Sequence, residues 1–259
     1  MSYQKKKIFL TVKAYPEKSR KYGSCVCTAG ITDNGDFIRI YPVPLNKFTE
    51  NGGLKKYTWI EVDCKKAKEY LKREESFKIR PESIKALSQV DTGNKRDWKE
   101  RSEIVLPAIS KSLEELEEKK KRDSISLGII KPKNIEKLSI DEEEDITKEE
   151  KKINNEVQLT LFREKTMNIE KIPFIFRYHF TCEDEKCKGH KIMCEDWEMI
   201  ESWRKWRDTY KDETTLREKF IEKYYNYMVK RDLHFFVGTH SRFNTWLIIG
   251  LYYPPITSS

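Results

Sequence analysis

The first hundred positions alternate short apolar stretches with turn signals. The stretches have the length and the β-branched content of strands, and they cover residues 8–12, 24–31, 37–43 and 57–64. Between the second and the third, residues 33–36 read Asp-Asn-Gly-Asp, and Asn-Gly accepts the positive φ angles of a tight hairpin turn. We therefore expect a small barrel or a curled sheet, followed by a helix over residues 67–75.

The last ninety positions show a second pattern. Residues 173–180 place aromatic side chains at every other position, which predicts a strand with one aromatic face. Two stretches then repeat large apolar residues every three or four positions, which predicts helices over 196–210 and 214–228. Residues 233–238 and 245–253 predict two further strands. The fold class is therefore α+β.

The middle of the chain is mostly charged. Residues 111–122 read KSLEELEEKKKR and predict a helix with Glu preceding Lys at helical spacing. Residues 141–152 lack the apolar stripe of a packed helix, so we interpret them as a solvated helix or a mobile linker. We expect three parts: a basic β-rich domain over 1–100, a charged helical linker region over 101–165, and an α+β domain with a zinc-knuckle-like loop over 166–259.

The charge distribution adds a hypothesis about partners. The formal net charge of +8 consists of +9 in residues 1–100, −3 in residues 101–170 and +2 in residues 171–259. A basic domain attracts polyanions, of which nucleic acid is the commonest, although a lysine-rich composition alone would give the same excess. No run of eighteen apolar residues predicts a membrane span, and the apolar run near the start is too short for a signal peptide. We expect a cytoplasmic protein.

All four histidines lie beyond residue 178, and two of them flank a cysteine pair. The spacing is His179-x2-Cys182-x4-Cys187-x2-His190, with Cys194 shortly after it. Thiolates and imidazoles are the ligands that zinc prefers, and four of them close a tetrahedral site. The pattern predicts a structural zinc site with Cys182, Cys187 and His190. We favour His179 as the fourth ligand and keep Cys194 as the alternative.

Two other interpretations of this cluster stay open. The thiols could be reduced and half-buried in a polar loop, or Cys182 and Cys187 could form a disulfide. The remaining cysteines, Cys25, Cys27 and Cys64, lie on predicted strands with no histidine nearby, so we expect them to pack as small apolar residues.

Candidate catalytic residues are weaker. Glu61, Asp63 and Lys65 fall on one face of a predicted strand, an acidic-x-Lys arrangement similar to that of restriction-type nucleases, which use magnesium. Any exposed strand in a chain with 36% charged residues can show this pattern. Glycine-rich phosphate loops and the Gly-x-Ser-x-Gly motif are absent from the sequence.

Basic residues alternate with aromatic residues along the predicted strands of the first domain. This combination suits contact with a phosphate backbone and stacking of bases, and its members are Lys13, Arg20, Lys21, Arg39, Tyr41, Lys55 and Lys56. The alternative is that the tyrosines pack at the edge of the core.

Three functional hypotheses follow. The leading one is an intracellular, prokaryote-style protein that binds DNA or RNA, carries a structural zinc ion, and serves as an accessory subunit in nucleic-acid processing or defence. The second is a metal-dependent nuclease that uses Asp63 and Lys65 with magnesium. The third is an interaction module that docks a protein partner through the 101–165 region and a tryptophan-rich helix, for which an exposed Trp203 or Trp206 would be the evidence.

Overall fold

The structure is a computed structural model. It describes residues 2–19, 23–49, 53–67, 73–93, 97–142, 172–240 and 245–256. For residues 15–19, 23 and 24 it describes the backbone alone. The sequence-predicted site residues Arg20 and Lys21 lie outside this range, as do most of the predicted helix over 67–75 and most of the charged segment over 141–152.

Five strands of the N-terminal part close into a barrel. They are β1 (Gln4–Ser19), β2 (Gly23–Thr32), β3 (Phe37–Pro44), β4 (Thr58–Lys66) and β5 (Ser76–Ile79). The order around the barrel is β1-β2-β3-β5-β4, and β4 pairs with β1 to close it. The β3–β5 pair is parallel and the other pairs are antiparallel. The structure confirms the barrel alternative of the sequence prediction.

Alternation along the strands builds the interior of the barrel. Ile8, Leu10, Ile38, Ile40 and Ile60 point inward and are fully buried. The predicted hairpin turn joins β2 to β3, where Gly35 adopts a φ of 86° that a side chain would strain. Around the barrel lie a short helix α1 (Asn46–Thr49), a 3₁₀ turn (Pro81–Ser83) and an additional strand β6 (Lys85–Gln89), which pairs with β4.

The C-terminal part contains two small antiparallel-dominated sheets. One has the order β11-β10-β9 and the other the order β13-β12-β8-β7. Their strands are β7 (Ile109–Ser110), β8 (Leu127–Ile130), β9 (Asn134–Glu142), β10 (Phe174–Thr181), β11 (His190–Met193), β12 (His234–Thr239) and β13 (Trp246–Tyr252). Phe176, Tyr178 and Phe180 lie on one buried face of β10, which confirms the predicted aromatic face.

Helices cover the aromatic face of β10. Helix α2 (Lys99–Val105) comes first and packs in the interface with the barrel through Val105; the described helices packed around β10 are α3 (Leu113–Asp123), α4 (Trp197–Thr209) and α5 (Glu213–Ile221). A 3₁₀ turn (Leu106–Ala108) follows α2, and a π-helical turn (Glu222–Tyr227) and a 3₁₀ turn (Met228–Lys230) follow α5. Trp203 of α4 is 1% exposed and packs edge-on against Phe220 of α5. Trp206 is partly buried against the same core, so neither tryptophan offers the exposed surface that would favour the interaction module.

Part of the predicted linker region is packed structure. Leu113 and Leu116 of α3 are buried, and all four residues of β8 are buried in the centre of a sheet. β9 pairs with β10 along its whole length. Residues 109–142 are therefore part of the C-terminal sheets and of helix α3 beside them, because short apolar stretches between the charged runs supply the strands.

The barrel and the C-terminal sheets share an apolar interface. Phe9, Ala29 and Ile31 on the outer face of the barrel lie in one buried cluster with Leu127, Ile129, Phe236 and Tyr252. Each of these large side chains contributes about 1.5–3 kcal/mol when it is fully removed from water. This contact covers the outer face of β2, part of β1 around Phe9, and the part of β3 around Phe37 and Arg39.

A buried ion pair reinforces the interface. Asp196 caps α4, since its Oδ1 accepts a hydrogen bond from the backbone N–H of Met199 at 2.9 Å. Its Oδ2 accepts from the N–H of Leu251 in β13 at 3.2 Å and from the Lys56 ammonium at 3.3 Å. Lys56 also lies 3.1 Å from Glu198. Burial opposes the charge on Lys56, but Asp196 and Glu198 raise its pKa well above the ordinary value.

Among the described residues, no helix is both long and apolar enough to cross a membrane.

Lys56→Met is expected to destabilise the protein by about 3–5 kcal/mol, because it leaves the buried Asp196 carboxylate without its cation. The measurement is the free energy of unfolding in urea. Lys55→Met is the matched control, since Lys55 is the exposed neighbour, and it is expected to change stability by less than about 0.5 kcal/mol. Equal effects of the two substitutions would show that the ion pair does not hold the interface.

Candidate metal centre and basic barrel face

Four side chains converge at one end of the C-terminal part. Glu114, Cys182, Cys187 and His190 each offer a ligand atom, and all four atoms lie within 4.8 Å of one another. The Cys187 Sγ atom is 3.3 Å from His190 Nε2, and His190 Nε2 is 2.9 Å from Glu114 Oε1. Two ligands of a tetrahedral zinc ion, one sulfur and one nitrogen, would lie about 3.5 Å apart. This group could hold a metal ion.

Three elements bring the ligands together. Cys182 follows the end of β10, and His190 begins β11, so the hairpin between these paired strands carries Cys187. Gly189, with a φ of 92°, allows the backbone of this hairpin to turn back. Glu114 lies in the first turn of α3, whose N-cap is Ser112. The Ser112 hydroxyl donates to Asp184 in the hairpin at 3.0 Å and thereby fixes the helix against it.

The surroundings fit a cation. One carboxylate oxygen of Glu114, Oε2, is buried and accepts no hydrogen bond from the described residues. Burial raises the pKa of the Cys182 thiol to about 12, so the thiolate that a metal binds is disfavoured there until a cation sits beside it; the backbone N–H of Leu113 at the start of α3 acts in the opposite direction. Two sulfurs, an imidazole and a carboxylate are a donor set that divalent transition metals accept.

The fourth member of the group differs from the predicted ligand. Phe180 pairs with His190, whereas His179 pairs with Lys191. Because neighbouring residues of a strand face opposite sides of the sheet, His179 lies on the other side from His190, and its Nε2 is 3.0 Å from the hydroxyl of Ser139. Cys194 is buried in the core beside Ile248. Glu114 is therefore the fourth member of the group, in place of the predicted alternatives His179 and Cys194.

The predicted nucleic-acid-binding residues do not form one open surface. The Nη2 atom of Arg39 donates to the carbonyl of Ser126 at 3.2 Å in the interface with the C-terminal part. Lys13 lies over the rings of Phe48 and Trp197, and burial lowers its pKa. Lys56 is in the buried ion pair, Tyr41 is a half-buried residue of β3, and Lys55 is exposed.

The nuclease candidates lie on a different face of the barrel. Glu61, Asp63 and Lys65 share the outer side of β4, as predicted from alternation. Glu61 pairs with Lys5 at 3.2 Å, and Asp63 lies 4.0 Å from Arg80. Within the described part of the chain, the one group that could hold a metal is the Glu114 group. No observation therefore favours magnesium at Glu61 and Asp63.

That outer face is basic and contains aromatic rings. We define the basic face as the outward side chains of β1, β4, β5 and β6 together with their flanks, namely Tyr3, Lys5, Lys7, Trp59, Glu61, Asp63, Lys65, Lys78, Arg80 and Lys85. It carries six basic and two acidic groups. The Tyr3 ring lies 4.8 Å from Lys65 Nζ and 4.3 Å from Arg80 Cζ, and the Trp59 ring lies 4.9 Å from Lys7 Nζ. Sequence reasoning missed most of this set because strand pairing alone brings Tyr3 and Lys7 beside β4.

Comparison with protein families divides the chain in two. A domain of unknown function (DUF8757) matches residues 109–259, more than half of the chain. The chain belongs to the DUF8757 family. A second domain of unknown function (DUF8758) matches residues 4–107. No curated protein and no solved structure matches the chain. The DUF8757 part contains all four candidate metal ligands, and the DUF8758 part contains the barrel and all of its basic face except Tyr3.

Glu114→Gln is expected to weaken binding of a divalent metal by about tenfold or more, because it removes a charged ligand. His179→Ala, on the opposite side of the sheet, is expected to leave the affinity unchanged. Competition with a chromophoric chelator measures both constants. The reverse order of effects would restore His179 as the fourth ligand.

Proposed function

We propose that this protein binds single-stranded nucleic acid on the basic face of its barrel. The observation that carries the proposal is the pairing of exposed basic groups with the rings of Tyr3 and Trp59 on one outer surface. Lysine and arginine side chains neutralise phosphates, and aromatic rings stack on bases without regard to sequence. The excess of four positive charges on this face supports the same conclusion.

The topology of the barrel supports a nucleic-acid partner. The surface that we propose, however, differs from the one that barrels of this type use. Five-stranded Greek-key barrels of the OB type bind oligonucleotides or oligosaccharides over strands 2 and 3. In this chain the C-terminal sheet packs on those strands through Ala29 and Ile31. Because fold alone does not establish function, the proposal relies on the outward side chains at the start of β1 and on β4 and β5. Among them the Trp59 ring is half-buried and also packs against the edge of the interface cluster.

We further propose that the metal of the Glu114 group is zinc and that its role is structural. Two thiolates and an imidazole favour zinc over magnesium or calcium. With Glu114, the protein supplies four ligands and leaves no open coordination position for a substrate. The ion would join the start of α3 to the β10–β11 hairpin.

Replacing Lys65, Lys78 and Arg80 together by Ala is expected to weaken binding to a single-stranded oligonucleotide. It should also reduce the slope of log K against log salt by about 2, as expected for three lost phosphate contacts. Fluorescence anisotropy at several salt concentrations measures both quantities. The matched control replaces Lys205, Lys211 and Lys230, three exposed lysines of the C-terminal part, by Ala.

The control removes the same charge from another surface, so equal losses in both variants would contradict a defined basic face. Tyr3→Ala tests stacking separately. It is expected to weaken binding by roughly 1–3 kcal/mol without changing the salt slope, since it removes a ring and no charge. Absence of binding by the unaltered protein at low salt would remove the proposal altogether.

The purified protein is expected to contain about one zinc ion per chain, and Cys187→Ser is expected to lose it because one of the four ligands is gone. Elemental analysis measures the metal content. Removing zinc with a chelator should lower the melting temperature of the unaltered protein, since binding to the folded state alone stabilises that state. Cys27→Ser, a half-buried cysteine away from the group, is the control and should keep its zinc.

A further inference from the structure

A cleft separates one end of the barrel from helix α3. Its volume is about 690 Å³, within the range of small-molecule sites, which occur preferentially at domain interfaces. The β2–β3 hairpin and the start of β1 form one wall, and α3, β7 and β8 form the other. The cleft therefore lies between the segments matched by the two families.

Apolar side chains and two aromatic rings line the interior of the cleft. Phe37 and Phe77 are half-buried, and Ile38, Leu116 and Leu127 complete the apolar surface. The ring of Phe77 already lies 5.0 Å from the ammonium of Lys6 at the opening. Such walls suit a flat ring system better than an extended polar chain.

A buried carboxylate stands in the wall of the cleft. Glu75 is 6% exposed, and one of its oxygens accepts a hydrogen bond from the backbone N–H of Ser126. Its second oxygen, Oε2, is buried and has no hydrogen-bond partner among the described residues. A buried acceptor without a donor is costly, and the terminal torsion of glutamate is soft. A modest rotation would present Oε2 to a donor in the cleft.

The charges around the cleft argue against a simple ion as its occupant. Four lysines face five carboxylates, and these residues are Lys5, Lys6, Lys7, Lys119, Asp33, Asp36, Glu74, Glu75 and Asp123. This near balance does not favour a free anion. The described carboxylates of the cleft also do not converge as a group that could hold a metal ion.

We propose that the cleft binds a nucleobase with an amino group on its hydrogen-bonding edge, guanine first. The ring would pack against Phe37 and Phe77. The two parallel donors of guanine, N1–H and the 2-amino group, match the two oxygens of Glu75. The base can come from a free nucleoside or nucleotide, or from an unstacked residue of a bound strand.

The cleft and the basic face share Lys5 and Lys7, but the three residues used to test the basic face lie outside the cleft. Lys65, Lys78 and Arg80 do not line the cleft. The variant that replaces all three is therefore expected to bind guanosine normally. Loss of oligonucleotide binding with retained guanosine binding agrees with both proposals. Each proposal can fail without the other.

The experiment titrates the full-length protein with guanosine and with inosine, which differs from guanosine by the 2-amino group alone. Calorimetry is expected to show guanosine binding about tenfold more tightly than inosine, because a site built around a donor rejects the analogue that lacks it. Glu75→Gln is expected to remove this preference, since its amide would place a donor against a donor. Glu213→Gln, an exposed glutamate of α5, should change nothing.

Phe37→Leu keeps the wall apolar and is expected to weaken guanosine binding by roughly fivefold through loss of stacking. It serves as the second test if Glu75→Gln fails to fold, which its melting temperature reveals. Guanosine monophosphate and a short guanine-containing strand distinguish the two sources, and binding of either that depends on Glu75 supports the proposal. Failure of all these ligands to bind, or equal affinities for guanosine and inosine, would overturn it.

Discussion

The arrangement of the whole molecule depends on the buried carboxylate of Asp196. Its two oxygens accept from the start of α4, from β13 and from Lys56 of the barrel. A carboxylate that is 2% exposed must be paired and hydrogen-bonded to remain charged. These requirements hold a helix, a sheet and the barrel in one relative position. The apolar cluster around Phe9 and Phe236 provides the buried area of the interface. Asp196 fixes the position of the barrel relative to α4 and β13.

This interface decides which surfaces remain available for function. It places the C-terminal sheet over β2 and β3, so Arg39 contacts Ser126 and not solvent. The outward residues at the start of β1 and along β4 and β5 are exposed or half-buried and carry the basic face. The same docking leaves the cleft beside Glu75, where the barrel end and α3 approach each other without closing. Both proposed binding surfaces are therefore consequences of how the two parts pack.

Helix α3 connects the candidate metal centre to the cleft. Glu114 in its first turn belongs to the metal group, while Leu116 and Lys119 line the cleft. The Ser112 cap and the hydrogen bond to Asp184 hold the helix start against the β10–β11 hairpin. A structural ion at Glu114 would therefore also fix the position of one cleft wall.

Local patterns in the sequence determined most of the elements. Short apolar, β-branched stretches between turn signals marked β1, β2, β3 and β4. Alternation with period two marked β10, and Asn34-Gly35 marked the hairpin, because these signals depend on neighbouring residues alone. The helices after Asp196 followed from the spacing of their large apolar residues. The segments β7 and β9 were missed, since two or nine residues between charged runs resemble a linker when their partners are distant in sequence.

The sequence by itself also indicated three members of the candidate metal group, Cys182, Cys187 and His190, because they lie within one hairpin. Only the tertiary structure decided the fourth. Glu114 is one of several glutamates on a charged helix, and nothing local distinguishes it until α3 packs against the hairpin. Likewise, Lys55 and Lys56 are adjacent and identical in the sequence, yet one is exposed and the other is buried beside Asp196. Strand register and long-range packing carry this information, and both depend on residues far apart in the chain.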